Sequence, residues 1–386
     1  MTLEKVRESG RRLPEIAAAF FRLGCVAFGG PAAHLALLED EFVSRRGWIG
    51  RQRFLDLMGA TNLIPGPNST EMTMHLGYER AGPPGLFAAG LGFVLPSAMI
   101  TAGLAWVYVH AGSLPAAESA LAAIRPAVFV LILGAVWKLG RKAVSDWRLG
   151  VIAVGVGAAV VAGVGEIPAL LLGGVCGGLA LLLPRPSAVA SALALALWSP
   201  ATVFAASGEA PSLGKLGLFF FKVGCVLYGS GYVLIAFLEG GLVEQHGWVT
   251  HHELLDAIAI GQFTPGPVLT SATFLGYLVA GWTGAAVATA GIFLPGFGLV
   301  WVLNPLVRRL RESRTTAAFL DAVNASAVGL MAAVAIGLAT ASLNTVTACV
   351  FAGCAAVGLF VVRWPAVWVI SGAGALGLLS MLVERF

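Results

Sequence analysis

The run FRLGCV at residues 21–26 recurs as FKVGCV at residues 221–226, and this repetition decides how the chain is organised. The two copies stay in register up to a Pro-Gly-Pro at residues 65–67, which recurs at residues 265–267. A duplicated module with such apolar surroundings is typical of membrane transporters whose substrate path lies between two related halves.

The composition indicates a membrane protein. Of the 386 residues, 58% are hydrophobic and only 11% are charged, which is more apolar surface than a soluble core of ordinary proportions can hide. The lipid bilayer is therefore an expected partner. The net charge of +4 is small and its basic residues form short clusters, so no nucleic-acid partner is expected. The five cysteines lack metal-ligand spacing, so we expect no metal and no cofactor.

Eight apolar runs approach the length that crosses about 30 Å of hydrocarbon, four in each half. They cover residues 86–108, 121–137, 149–164, 167–183, 285–303, 317–338, 346–362 and 366–382. We divide the chain into a first repeat at 1–185, a linker at 186–213 and a second repeat at 214–386. The predicted class is an all-α polytopic membrane protein.

Each half also has two shorter apolar segments that break in the middle. In the first half they cover residues 14–42, broken at FGGP (28–31), and residues 54–78, broken at the first Pro-Gly-Pro. Arms of about 12 to 14 residues give roughly 20 Å of helix, which is short for a crossing. We interpret these segments as helical hairpins that enter the membrane and turn back.

The distribution of arginine predicts the orientation of the halves. The loop at residues 45–53 holds four arginines, whereas its copy at 244–253 has no Lys or Arg; conversely, residues 110–118 have none and the copy has four, at 308–314. Under the positive-inside rule, equivalent loops then lie on opposite sides of the membrane, which is an inverted repeat. A linker crossing at residues 187–206 would permit this, with a cytoplasmic N-terminus and a periplasmic C-terminus. Parallel halves with a surface linker are the alternative.

Broken helices predict an anion site. A helix that resumes after a break offers free amide groups and the positive end of its dipole, and broken backbone at membrane depth survives only beside protein or a wet cavity. Four such ends would suit a small, multiply charged oxyanion. The candidate residues at the breaks are Gly29, Gly30, Gly66, Asn68, Ser69, Thr70, Gly229, Ser230, Gln262, Gly266, Thr270 and Ser271. Simple helix capping is the alternative for each polar member.

Charged residues inside apolar segments add further candidates. Arg22 and Lys222 occupy the same repeat position six residues before a break, where a cation suits charge compensation of the anion or contact with lipid headgroups. Candidates for proton coupling are Glu39, Glu239, Glu71 and His75, for which interfacial pairing is the alternative. Asp56 and Asp256, a further repeat pair, are expected at the membrane interface as salt bridges or caps.

The chain lacks the motifs of hydrolases, zinc proteases and phosphate-binding loops, so an enzymatic function is not expected. A channel or a scaffold without turnover is a different class of function. A channel should show a continuous polar stripe on its long helices, whereas the polar residues here gather at the breaks. The residues therefore favour a carrier for a small anion.

The FRLGCVAFGGP run at residues 21–31, Gly47-Trp48, the first Pro-Gly-Pro and their second copies resemble the chromate ion transporter family in its long two-domain form. The resemblance implies an inner-membrane carrier that exports chromate, confers chromate resistance, and uses the proton gradient or exchange with sulfate. A second copy of the chain is a candidate partner. The second half departs from the pattern, since Ser230-Gly231 replaces Gly30-Pro31. Side chains alone do not separate chromate from sulfate, so a sulfate or other oxyanion permease is the alternative.

Overall fold

The structure is a computed structural model that describes residues 3–112, 114–182, 210–228, 231–304 and 313–383. Within these ranges the chain is helical and contains no strand. The helices of the first half are α1 (Leu3–Val26), α2 (Pro31–Glu39), α3 (Arg51–Thr61), α4 (Asn68–Ala111), α5 (Pro115–Ala143), α6 (Trp147–Val161) and α7 (Glu166–Leu182). Those of the second half are α8 (Leu213–Val226), α9 (Val233–Leu238), α10 (His251–Phe263), α11 (Ser271–Leu303), α12 (Arg314–Ser342), α13 (Val346–Ala356) and α14 (Ala366–Val383).

The two halves have the same order of helices in the described part of the chain. In each half the second helix continues into a π-helical turn, at Asp40–Arg45 and Glu239–Gln245. The fourth helix is kinked in both halves, at Ala81-Gly82 and at Ala280-Gly281, where the glycine has a φ of +65° or +60°. Glycine adopts this left-handed conformation without the steric penalty of a β-carbon, so the chain can turn sharply there.

Four described helices are long and apolar enough to cross a bilayer: Asn68–Ala111, Pro115–Ala143, Val268–Leu303 and Arg314–Ser342. The other four apolar runs of the sequence form shorter helices, such as the 15 residues of α6. A helix of that length spans only about 22 Å, so it would need a thinned bilayer to cross. The first helix is longer than the expected arm, because α1 runs through Pro14 as one helix of 24 residues.

The chain forms two compact units, each built from both halves. The first contains residues 1–105, 212–231 and 261–313. In it Gly24 of α1 packs against Pro96 of α4, and Gly224 of α8 packs in the same way against Pro295 of α11. A buried apolar cluster that includes Phe20, Phe42 and Phe93 fills the space between α1, α2 and α4. Since burial drives packing, this core fixes the helices on either side of the breaks.

The second unit contains residues 106–211, 232–260 and 314–386. Its helices pack closely at small residues, as where Gly157 of α6 meets Gly329 of α12. Small residues let membrane helices approach each other in this way. The proposed linker crossing at 187–206 and the C-terminal residues 384–386 lie outside the described residues.

An ion pair with a buried carboxylate lies in the second unit. The Arg125 guanidinium of α5 donates from Nε and Nη2 to the two carboxylate oxygens of Asp256 on α10, both at 2.9 Å. The Tyr108 hydroxyl donates to the same carboxylate at 2.8 Å. Asp256 is completely buried, and its ion pair with Arg125 is a salt bridge, one of the two roles expected for it. Its repeat partner Asp56 accepts a hydrogen bond of 3.5 Å from Gln52 in an exposed contact.

Candidate functional site

The two Pro-Gly-Pro breaks lie between short arms and long helices. The first break separates Thr61, the end of α3, from Asn68, the start of α4. The central glycines, Gly66 and Gly266, have φ angles of +139° and +94°. Residues with a β-carbon rarely adopt such angles, so each break depends on its glycine.

The breaks of the two halves are hydrogen-bonded to each other in a reciprocal manner. The Gly66 amide donates to the Leu227 carbonyl at 2.6 Å, and the Gly266 amide donates to the Ala27 carbonyl at 2.7 Å. Ala27 and Leu227 are the same repeat position, as are Gly66 and Gly266. Exchanged contacts of this kind are the mark of a two-fold relation. The Pro-Gly-Pro break of each half therefore meets the residue that precedes the other half's first break.

The first break carries two of the predicted glycines. Gly29 has a φ of +105°, and Gly30 precedes the first residue of α2, Pro31. The Ala27 carbonyl accepts a second contact, from His34 Nε2 at 3.0 Å. The predicted counterparts Gly229 and Ser230 lie outside the described residues. His34 is buried beside the break. The sequence analysis does not predict it as a site residue, although a histidine inside an apolar arm indicates a functional position.

The first turn of α4 holds three predicted residues. Ser69 and Thr70 are buried, and the Thr70 hydroxyl has no hydrogen-bond partner within the described ranges. Asn68 donates from its side-chain amide to the Asn62 side chain at 2.9 Å, so it ties the two ends of the break together. Thr70 is thus a buried polar group in need of a partner, which is what a ligand contact requires.

The corresponding turn of the second half is more fully satisfied. Thr270 donates to the Pro267 carbonyl at 2.9 Å and accepts from Ser97 of α4 at 3.3 Å. Ser271 donates to the Val268 carbonyl at 3.0 Å. Gln262, just before the break, is buried with its amide nitrogen lacking a partner in the described part of the chain. The two breaks are therefore similar in backbone but unequal in side-chain chemistry.

Glu71 lies directly against the first Pro-Gly-Pro. Its carboxyl group occupies the place where a β-carbon at Gly66 would be. The residue is completely buried, and neither carboxylate oxygen has a hydrogen-bond partner among the residues described. An ionised carboxylate is costly to bury without a partner, so this position suits a group that takes up a proton.

His75 follows Glu71 by one helical turn. Its Nδ1 lies 2.8 Å from the side-chain oxygen of Asn304 at the end of α11, and its Nε2 is buried without a partner among described residues. The sequence did not indicate Asn304, because its repeat counterpart, Ala105, is apolar. The histidine is therefore held by a residue of the other half.

The structure does not bring the two predicted cations to the breaks. Arg22 and Lys222 are both exposed. Gly24 and Gly224, two residues later, face the long helices, and two residues correspond to about 200° around a helix, so the two cations point away from those helices. Their role in charge compensation stays a prediction.

The remaining proton-coupling candidates form different contacts in the two halves. Glu39 lies 3.3 Å from Arg51 at the surface, whereas Glu239 is buried and lies 2.5 Å from His251. In the described part of the chain, the breaks thus combine backbone amides with unsatisfied buried groups, which include those of Thr70, Glu71 and Gln262. Chemically, such a site can bind an oxyanion and a proton.

Comparison with known proteins identifies relatives over most of the chain. The sequence model of the Chromate transporter family matches twice, at residues 14–181 and 214–378. A chromate transport protein of Pseudomonas aeruginosa is 33% identical over 86% of this chain and 82% of its own length. A probable chromate transport protein of Synechococcus elongatus is 32% identical over 86% of both chains, and a chromate transport protein of Cupriavidus metallidurans is 31% identical over 86% of this chain and 84% of its own. No solved structure gives a significant match.

Proposed function

Because this chain belongs to the chromate transporter family and is a multi-pass membrane protein, we propose that it is a secondary transporter that exports chromate across the bacterial inner membrane. Chromate is a tetrahedral dianion, so it needs several hydrogen-bond donors that converge from different directions. Export would lower the chromate content of the cell and confer resistance.

The reciprocal pairing of the breaks carries this proposal. It holds the starts of α4 and α11 within one compact unit, each of them close to the residue that precedes the first break of the other half. Helix starts supply amide donors and positive dipole ends, which favour an anion without a fixed cation. We assign the anion to the glycines of the breaks and to the hydroxyl groups of the first helical turns, with Thr70 as its clearest side-chain donor.

Glu71 supports coupling to protons. A carboxylate beside an anion site repels a dianion, whereas the protonated form is neutral and donates a hydrogen bond. Binding of chromate and binding of a proton are then linked at this position. Exchange against sulfate is the second form of energy coupling that the proposal includes, since the two dianions have the same shape and charge.

Exchange in proteoliposomes tests the proposed function. Vesicles that contain the protein and are loaded with unlabelled sulfate are expected to accumulate labelled chromate, with a rate that saturates as external chromate rises. Saturation is expected because each turnover of a carrier needs a bound ion. Protein-free vesicles give the background rate.

An ohmic anion current would contradict a carrier and favour a channel, and exchange of sulfate that chromate does not inhibit would favour a sulfate permease. The direction is tested in cells. Cells that express the chain are expected to contain less chromium than control cells, and more chromium would indicate an importer.

We also propose that the halves are inverted, with the N-terminus in the cytoplasm and the C-terminus in the periplasm. The two-fold relation of the breaks is compatible with this arrangement, and the arginine distribution favours it. Single cysteines introduced for labelling in the loops at 45–53 and 308–314, in a variant without native cysteines, are expected to react from the cytoplasmic side in both cases. Labelling from opposite sides would contradict the inverted repeat and favour parallel halves.

A further inference from the structure

The second helix of each half makes an ion-pair contact with the start of the third. In the first half Glu39 meets Arg51, and in the second half Glu239 meets His251 at the same two repeat positions. The contact is conserved between the halves, but the cation changes from arginine to histidine. Arginine stays charged at any physiological pH, whereas histidine gains and loses its proton between about pH 5 and 8.

Burial differs as strongly as the cation does. In the first half the side chains of Glu39 and Arg51 are 34% and 77% exposed, so the pair lies at the protein surface. In the second half the Glu239 side chain is 2% exposed, and neither oxygen of its carboxylate has a hydrogen-bond partner in the described part of the chain. The charge on Glu239 therefore depends on its few neighbours rather than on solvent.

The geometry of the second pair suits a protonated histidine. His251 Nδ1 and Glu239 Oε1 are 2.5 Å apart. When the imidazole takes up a second proton it becomes a cation, which pairs with an ionised Glu239 carboxylate at this distance. The His251 side chain is 44% exposed, which gives that proton a route from solvent to the buried carboxylate.

A second acidic residue joins the pair from another helix. Glu166, the first residue of α7, places its carboxyl group against Gly240, where a β-carbon would overlap it. The first half has Asp40 at this repeat position, so the glycine is what admits Glu166. Glu166 interacts electrostatically with Glu239 and with Glu244, which lies in the same π-helical turn as Glu239. Neighbouring carboxylates disfavour each other's ionisation, so the cluster retains a proton more readily than a lone residue.

Helix capping fixes the position of the histidine. The Thr250 amide donates to the Glu253 carboxylate at 2.7 Å, and the Glu253 amide donates back to the Thr250 hydroxyl at 3.2 Å. This capping box defines the start of α10 at His251. The first half has Gly50 in place of Thr250 and caps α3 without a side chain. The second half thus fixes the backbone at this helix start with side-chain bonds that the first half lacks.

We propose that Glu239, His251 and Glu166 form a proton-binding site that is specific to the second half, while Glu39 and Arg51 occupy the same two repeat positions in the first half without forming such a site. Proton binding can be measured on the protein itself, without transport. Only the transport measurement rests on the proposed function. Proton binding at this site changes the charge of the arm that follows the second half's first break, which is α9 with its π-helical turn. Transport is therefore expected to change with pH.

The substitution His251→Arg gives the second half the pair that the first half already has. Between pH 8 and 6, purified native protein in weakly buffered detergent is expected to take up about one proton per chain more than the variant, because arginine does not titrate in this range. In proteoliposomes with equal pH on both sides, native chromate exchange is expected to change at least about threefold over this range, and that change is expected to be lost in the variant.

The matched control is Arg51→His, which is expected to leave the native pH dependence in place because Glu39 is solvated. Glu239→Gln removes the buried carboxylate at constant size and is expected to abolish the pH dependence of chromate exchange as well. This second variant tests the proposal if His251→Arg does not elute as a folded protein. Proton uptake and pH dependence that are unchanged in both His251→Arg and Glu239→Gln would overturn the proposal, as would loss of the pH dependence in Arg51→His. Native protein that takes up the extra proton without exchanging chromate would contradict the proposed function and leave the proton site standing.

Discussion

Asp256→Asn is expected to lower the free energy of unfolding by about 3–5 kcal/mol, because it leaves the Arg125 guanidinium in the second unit without its carboxylate. In the native protein this guanidinium donates two hydrogen bonds of 2.9 Å to Asp256. Asparagine keeps the size of the side chain but has one donor group where Arg125 needs an acceptor. The loss therefore measures an uncompensated, partly buried charge rather than a cavity.

Unfolding can be followed by titration with a denaturing detergent in mixed micelles. Asp56→Asn is the matched control, since it is the same change at the same repeat position on the surface, and it is expected to stay within about 0.5 kcal/mol of the native protein. Replacing both partners, as in Arg125→Met with Asp256→Leu, is expected to recover most of the stability. Equal losses for Asp256→Asn and Asp56→Asn would show that the pair does not stabilise the unit.

Gly266→Ala is expected to reduce chromate exchange at least about tenfold without preventing insertion into the membrane. The φ of +94° at this position strains any residue with a β-carbon by about 1–3 kcal/mol, and the new atom would lie 2.7 Å from Ser97 Cβ. Relief of that strain would move the Gly266 amide, which donates to the Ala27 carbonyl, and the nearby hydroxyl of Thr270. Gly66→Ala is expected to act similarly, through displacement of the Glu71 carboxyl group.

Gly50→Ala is the control for both glycine variants. Gly50 has a φ of −73° and open space where a β-carbon would be, and the second half carries Thr250 at this position. Exchange of labelled chromate, normalised to the amount of folded protein, is the measurement. Activity in Gly266→Ala that equals that of Gly50→Ala would show that the shape of the break is not needed for transport.

Much of the fold could be predicted because the chain repeats itself. Breaks at Gly29-Gly30 and at both Pro-Gly-Pro runs follow from residues that interrupt helices, and the long helices follow from apolar length. The pairing of the breaks could not be predicted, since the Gly66 and Gly266 bonds join backbone atoms and backbone atoms carry no residue-type signal. Inversion of the halves relies on arginine placement and stays a prediction.

The candidate site was partly visible in the sequence. Thr70 and Glu71 follow from their place after a break, whereas Ser97 and Asn304 reach the site from distant parts of the chain that only the fold brings close. Arg125 could have been found, because an arginine inside an apolar run needs a partner. The difference in burial between Glu39 and Glu239 could not have been found from the sequence, because the surrounding helices bury residues at the same repeat position to different extents.

The exchanged bonds of Gly66 and Gly266 also bear on ancestry. Each half offers a carbonyl that its own glycine does not use, so a half-length polypeptide would need a second molecule of its kind to form this bond. Two identical molecules related by a two-fold axis would form both bonds equally well. Gene duplication and fusion would then have joined partners that already fitted, after which histidine could replace arginine at residue 251 without altering residue 51.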